Sequence, residues 1–373
     1  MSLTAQLIDA RTVPEPTLEV WPIATARGLD IQDALARLAD GPPGADGRRE
    51  IIVAHPYADP QMPGLAPAIE VRFGILLPGE QTKARRSNAS SFSMALAGGA
   101  TKHVGVAARE IMPRDSWTTP AMQIETLKAA PSEAFHYVTF SNAPFLQKIN
   151  ALYRESNPPA DEDLKAALEQ GALLSAHVTR AKEVAGGPIS LGAGYGQLLP
   201  YEHLIDPEAV ANPPLHWPWA DLAQQLGIVR NVGKGYTGRP LWCLYNPATE
   251  RRNGTTQSFF ATVTSAPANA TGNAHRHMSA AINLILDGSG YSIVGGQRVD
   301  WAAGDIMLSA PGWAVHGHSI GPEGAVILTI QDHPLHIGSE SLIWQENVDG
   351  GPILTLGSEA GFQTNLADVR GRN

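Results

Sequence analysis

The chain has 373 residues and a formal net charge of -9, with 17% charged and 6% aromatic residues against 37 glycines and 29 prolines. That balance fits a turn-rich β protein with a sizeable core and excludes a coiled coil or a disordered chain. The acidic balance excludes a general nucleic-acid binder, and a single cysteine, Cys243, excludes an intramolecular disulfide framework or a thiolate zinc cage within one chain.

Residues 1–69 read as an amino-terminal extension. The start, MSLTAQLIDARTVPEPTLEV, has neither a basic n-region nor an apolar h-region, and the chain has no run of about 18 apolar residues. A cytoplasmic protein with no membrane contact is the expectation. Asp30 is placed to cap a helix whose apolar face is Ile31, Leu35 and Leu38, and GPPGADG at 41–47 ends it. Residues 70–155 carry strand-like runs at 69–77, 91–99 and 136–140. Residues 156–240 read as a connector with a helix around 163–174 and Gly- and Pro-rich loops at 186–201 and 212–218. Strand texture returns over 241–346, at 258–265, 280–288, 291–294, 305–310 and 326–332, and residues 347–373 form a tail. Short strands with turn residues between them predict barrels or sandwiches.

The two strand-rich stretches match at a shift of 190 residues, which sets Leu96 on Leu286, Gly98 on Gly288 and Pro144 on Pro334. Six further inserted residues set Trp117 on Trp313. This reads as an internal duplication.

Six of the twelve histidines fall between residues 275 and 336. In an extended strand His275 and His277 point to one face and Arg276 points away. Downstream, GDIMLSAPGWAVHGH at 304–318 supplies a second His-x-His. Two antiparallel strands presenting imidazoles inward would make a three-nitrogen site with open positions. Such a ligand set accepts Zn, Ni, Mn or Cu as readily as Fe. His333 and His336, flanking Pro334, read as structural or exposed. GAGYG at 192–196 reads as a loop, and Trp217, Trp219, Trp301 and Trp313 as packing residues.

The segment HRHMSAAINLILDGSGYSIVGGQRVDWAAGDIMLSAPGWAVHGH at 275–318, with LLPGE at 76–80, PLHWPWADL at 214–222 and NPAT at 246–249, resembles the cupin superfamily. The resemblance covers about residues 70–346 and is to bicupins of the gentisate 1,2-dioxygenase type, which include salicylate and 1-hydroxy-2-naphthoate dioxygenases. It implies an all-β chain of two double-stranded β-helix (jelly-roll) barrels with connecting helices. It further implies a homo-oligomer (dimer or tetramer) and Fe(II) held by His275, His277 and His316. His318 corresponds to a histidine beside the metal that serves general acid–base work, as an imidazole titrating near neutrality can. The implied reaction is cleavage of a hydroxylated aromatic ring by O₂, with a small aromatic compound as partner.

Several positions depart from the family pattern. Ala281 stands where many cupins have a Glu ligand, as in the three-His subgroup. The metal motif lies in the second barrel, whereas gentisate dioxygenases carry theirs in the first. At the first barrel's matching positions stand Arg85, Ser87, Pro120 and Met122, so that barrel is expected to be metal-free. Asn283 replaces an Arg that clamps the substrate carboxylate, and Thr329 replaces an Asp on the last strand; both are candidate substrate contacts. The substrate is then either one without a carboxylate, such as a hydroquinone, or one held by an Arg from elsewhere. Arg85, Arg86 and Arg298 are weighed for that role and read first as solvated surface charges. Two other readings stand beside the dioxygenase: a metal-dependent cupin isomerase or lyase, and a non-catalytic bicupin that binds a small molecule.

Overall fold

The computed structural model describes residues 3–104, 107–156, 158, 176–205, 207, 210–231, 239–358 and 367; the helix expected around 163–174 lies outside them. The described chain forms two β-barrels. In the first, a six-stranded antiparallel sheet runs in the order His216–Trp217, Ser116–Thr119, Ser91–Ala97, Phe135–Ser141, Glu70–Leu76, Arg49–Val53. A five-stranded sheet faces it, ordered Arg154–Ser156, Arg85–Ser87, Glu125–Ala129, Ala100–Val104, Ala107–Ile111. Leu76, Ala95, Trp117 and Phe135 from one sheet meet Ala100, Ile111, Leu127 and Ala129 from the other as one buried cluster.

The second barrel repeats the plan. Its larger sheet runs Thr25–Ala26, Ile306–Ala310, Ala281–Val294, His316–Gln331, Phe260–Ala266, Leu241–Cys243, with Gln297–Ala302 paired to Ala281–Val294. A smaller sheet is ordered Arg276–His277, Ile343–Gln345, Leu354–Thr355. The runs at 280–288 and 291–294 are one strand, because the glycines between them sit at register shifts rather than at a turn. Gly288 has φ +84, and a Cβ there would lie 2.0 Å from the carbonyl oxygen of Gly324. Only glycine fits that close approach. The same bulge lets His316–Gln331 run unbroken, so the second His-x-His and the last predicted strand belong to one element.

The duplication is visible in the hydrogen bonds. The Ser90 amide donates to Asn142 Oδ1 at 3.0 Å, and 190 residues later the Ala280 amide donates to Asp332 Oδ1 at 2.7 Å. Arg86 Nε donates to Glu155 at 2.5 Å, and Arg276 Nε donates to Gln345 Oε1 at 2.7 Å. The short helices Ala143–Lys148 and His333–Gly338 follow in the same register. GAGYG lies in the loop joining the two-residue strands Ile189–Ser190 and Gln197–Leu198.

The outer faces of the two larger sheets share one core. Val71, Phe73, Phe92, Val138 and Phe140 belong to the same buried cluster as Val263, Ile282, Leu284, Leu328 and Ile330. Ile31 and Leu35 join it from the helix Gly28–Ala39, and Leu222 and Leu226 from Trp219–Arg230. Chain segments also cross between barrels. The amino-terminal strand Thr25–Ala26 pairs with Ile306–Ala310 of the second barrel, and His216–Trp217 of the connector pairs with Ser116–Thr119 of the first.

The first helix begins earlier than its sequence suggests. Asp30 lies in its first turn, and the cap position is Arg27. The cause is tertiary. Asp305 of the second barrel accepts from the Gly28 amide at 2.9 Å, from Arg27 Nη1 at 2.7 Å and from the Ala302 amide at 3.1 Å. A carboxylate at a helix amino terminus satisfies free N–H groups and the helix dipole together. A Cβ on Gly28 would lie 2.8 Å from the Gly304 carbonyl carbon, so glycine is needed for this docking. No described helix is long and apolar enough to cross a membrane. Replacing Asp305 by Ala is expected to lower unfolding free energy by about 3 kcal/mol, since it orphans buried donors; urea titration measures this.

Candidate metal centre

His275 and His316 face each other across a two-bond antiparallel bridge, with amide-to-carbonyl distances of 3.0 and 2.9 Å. His277 enters from the adjoining strand Arg276–His277. Ring centroids are 4.4 Å apart for His275–His316, 4.7 Å for His277–His316 and 5.7 Å for His275–His277. One ligand nitrogen from each lies within 4.8 Å of the other two, and among the described residues this is the group of His, Cys, Asp or Glu side chains so arranged.

Each ring is held by the same device. His275 Nδ1 lies 2.9 Å from the Asn273 carbonyl oxygen, His277 Nδ1 2.8 Å from that of Ser279, and His316 Nδ1 2.9 Å from that of Ala314. A carbonyl only accepts, so Nδ1 carries the proton in all three rings and the Nε2 lone pairs are left for a cation. Two donors already point at those lone pairs. Arg239 Nη2 is 3.3 Å from His275 Nε2, and Gln331 Nε2 is 3.0 Å from His277 Nε2. Ser279 Oγ links His277 Nδ1, at 3.1 Å, to His333 Nδ1, at 3.0 Å, so His333 braces the site from behind. His336 bonds Ser341 Oγ at 2.9 Å and lies apart from the ring cluster.

Arg276 points away as the alternation requires, stacking 4.5 Å over Trp313 while holding Gln345. His318 follows His316 on the same strand, with its ring 5.9 Å from that of His316. Ser292 Oγ lies 2.8 Å from His318 Nδ1 and accepts from Trp301 Nε1 at 3.0 Å. The hydroxyl thus couples the His318 ring to the indole of Trp301 and fixes its orientation. Asn283 and Thr329 face each other across adjacent strands, and Thr329 Oγ1 donates to Asn283 Oδ1 at 2.8 Å. Both share the barrel's inner face with Gln331, two residues beyond Thr329.

Burial sets the electrostatics. It lowers His275 to about 4, with Arg239 adding to the effect, and His277 to about 3, with His275 adding. His316 is pushed well below its ordinary value by burial and by the other two rings. His318 falls to about 4 through burial, then His275 and Arg239. The ring expected to titrate near neutrality is therefore a neutral N–H donor at pH 7. All four imidazoles are uncharged there, the state a cation requires of its ligands.

The arginines considered from sequence are placed differently than expected. Arg85 and Arg86 are half-buried and paired rather than free surface charges: Arg85 Nε donates to Glu125 Oε1 at 2.9 Å, and Arg86 is bound to Glu155. Arg298 does lie at the surface, bonded to Asp300 and stacked 3.7 Å over Tyr291. The cation that stands at the histidines is Arg239, which no motif or spacing marks; it sits in the connector two residues before the strand Leu241–Cys243. In the first barrel, the matching interior is a cavity of about 220 Å³ lined by Arg72, Arg85, Glu70 and Glu125 among others. Burial pushes the Glu125 carboxyl up, but Arg85, Lys102 and Arg48 outweigh it and hold it at about 2.

The metal-free protein carries a pH signature. The folded pKa values of His275 and His277 lie below the unfolded value of about 6.5, so their stabilising contribution is complete above pH 6.5. It is lost as pH falls through the window down to about 4 for His275 and about 3 for His277. Melting of metal-free protein is expected to drop steadily below pH 6.5, and His277→Asn to flatten that slope by up to about 1.4 kcal/mol per pH unit.

Residues 258–334 match the family model described as an AraC-like ligand binding domain. A stretch of 128 residues is 28% identical to a 5-aminosalicylate 1,2-dioxygenase of Comamonas sp., covering 33% of each chain. Another of 63 residues is 40% identical to a gentisate 1,2-dioxygenase of Ralstonia sp., covering 16% of this chain and 18% of that one. The matched stretches thus span a third or less of these curated relatives. The fold superimposes on a salicylate 1,2-dioxygenase variant from Pseudoaminobacter salicylatoxidans solved with gentisate, at TM-score 0.69 and 14% identity, over 91% of this chain and 90% of that one. At that identity the likeness concerns the fold. Two barrels, a duplicated hydrogen-bond frame and this superposition converge: the chain has a bicupin fold, similar to that of the salicylate 1,2-dioxygenase.

Proposed function

We propose that the protein is an Fe(II)-dependent dioxygenase that opens the ring of a hydroxylated aromatic acid at His275, His277 and His316. The observation that carries this reading is the set of three Nε2 lone pairs freed by three Nδ1–H to carbonyl bonds. Three neutral nitrogens suit a divalent transition ion and leave open positions on it. The bound ion supplies electron transfer between the aromatic and O₂. Three neutral ligands leave its double charge uncompensated, which favours an anionic, chelating substrate.

The chain's own groups do the positioning. Arg239, beside His275, holds the substrate carboxylate in a charge-assisted pair, the role for which Asn283 is too weak. His318, fixed by Ser292 and Trp301, presents its Nε2 edge to oxygen atoms of the reacting complex for proton transfer. Asn283 and Thr329 contact the ring from the barrel interior. The matches to enzymes acting on 5-aminosalicylate and gentisate support a substrate of this class.

Metal analysis after anaerobic Fe(II) loading, followed by O₂ uptake with gentisate, salicylate, 5-aminosalicylate and hydroquinone, tests the reading. One iron per chain and uptake with at least one of these rings are expected. Full iron occupancy with no uptake would sink the dioxygenase assignment. His275→Ala and His277→Ala should each lose metal and turnover together. Arg239→Ala should raise KM for carboxylated substrates by ten- to hundredfold, as loss of about 1.5–3 kcal/mol implies, and leave hydroquinone unaffected; steady-state O₂ uptake reads both.

A further inference from the structure

Where the second barrel has its histidines, the first keeps a cavity of about 220 Å³, with Arg85 and Arg154 among its walls. One water occupies about 30 Å³ of the liquid, so the space admits a small organic molecule. The acceptors around it are occupied. Glu70 takes Arg72 Nε at 2.7 Å and Nη2 at 2.8 Å, one on each carboxylate oxygen. Glu50 takes the Tyr137 hydroxyl at 2.9 Å and Arg72 Nη1 at 3.4 Å. Glu125 takes Arg85 Nε at 2.9 Å and the Thr119 hydroxyl at 2.8 Å.

The donors are not. Arg85 Nη1 stops 3.9 Å from Glu50, and among the described residues Arg154 comes no closer to a carboxylate than 3.5 Å, at Glu70. Beside Glu125, the Arg48 side chain is 2% exposed, and its Nε and Nη2 have no hydrogen-bond partner among the described residues. Burial holds the Arg154 guanidinium below its ordinary value; Glu70 opposes this, and Arg72 and Arg85 add to it. A guanidinium has no acceptor of its own, so surplus donors around a cavity call for an acceptor from outside.

We propose that the first barrel is a metal-free binding site for a small organic carboxylate, held between Arg85 and Arg154. The planar fork of each guanidinium matches the two oxygens of a carboxylate. Both side chains line the cavity and stay within reach of solvent, at 30% and 45% exposure, so a ligand can enter. A monoanion fits better than a dianionic phosphate, because Glu50 and Glu70 stand beside the same two arginines and repel a second negative charge. The site uses no histidine and stands independently of the iron reading.

The test is calorimetric titration of the full chain, freed of metal on a chelating resin, with benzoate, butyrate, benzamide and phosphate. Benzoate or butyrate should bind at one site per chain, with benzamide and phosphate weaker by about tenfold or more. Arg154→Gln should weaken carboxylate binding by about tenfold or more, whereas Arg239→Ala, altered at the other barrel, should leave it unchanged. Arg154→Lys, which keeps the charge without the fork, should recover part of the loss. Absence of binding by both carboxylates overturns the proposal. So does equal binding of benzamide or phosphate, since neither a neutral amide nor a dianion fits the stated chemistry. Binding that survives Arg154→Gln and is lost in Arg239→Ala also overturns it, because the carboxylate then sits at the histidines. If Arg154→Gln does not fold, the wild-type ligand series and Arg239→Ala decide the matter.

Discussion

Burial of uncharged imidazoles is the constraint around which the second barrel is organised. An imidazole taken from water must keep its N–H satisfied, and the three candidate ligands do this with a carbonyl only two residues away in the chain. That local bond fixes the tautomer, and the fixed tautomer turns Nε2 toward the common centre. Removing protons from solvent reach also keeps the rings neutral, so one act of desolvation prepares geometry and charge together. The surrounding shell is arranged on the same terms: Ser279 couples His277 to His333, and Ser292 with Trp301 fixes His318.

The first barrel shows what the same frame becomes when its interior changes. The Arg86–Glu155 and Arg276–Gln345 bonds, and the Ser90–Asn142 and Ala280–Asp332 bonds, occupy matching positions and keep the strands in register. Where the second barrel has His275 and His277, the first has Arg85 and Ser87, on a strand with the same neighbours. A buried guanidinium needs carboxylates, and Glu125, Glu70 and Glu50 supply them around Arg85 and Arg72. Nearby, burial lowers the Lys102 amine to about 7, while its Nζ bonds Thr118 and Thr119. The frame is repeated in the two halves, while the interiors differ: histidines in the second, arginine–glutamate pairs in the first.

Elements that arrive from outside the second barrel meet its histidines and its strands. Arg239 comes from the connector, and the helix at the amino terminus docks through Asp305. The barrel wall places the imidazoles with the precision of a strand register. The incoming connector brings the Arg239 guanidinium to those imidazoles from another direction.

Strand content, the duplication at 190 residues and the clustering of His275, His277, His316 and His318 follow from local rules: alternation along a strand, glycine punctuation and repeated spacing. These properties need only neighbours in sequence, and so the sequence by itself determined them. Two strand boundaries were illegible because Gly288 and its neighbours form bulges rather than turns, a difference that depends on how closely Gly324 approaches. The placement of Arg85, Arg86 and Arg239 was decided by tertiary structure alone. An arginine's side chain has the same sequence signature whether it meets solvent, a buried glutamate or an imidazole, and only the folded chain brings Glu125 to Arg85 and Arg239 to His275.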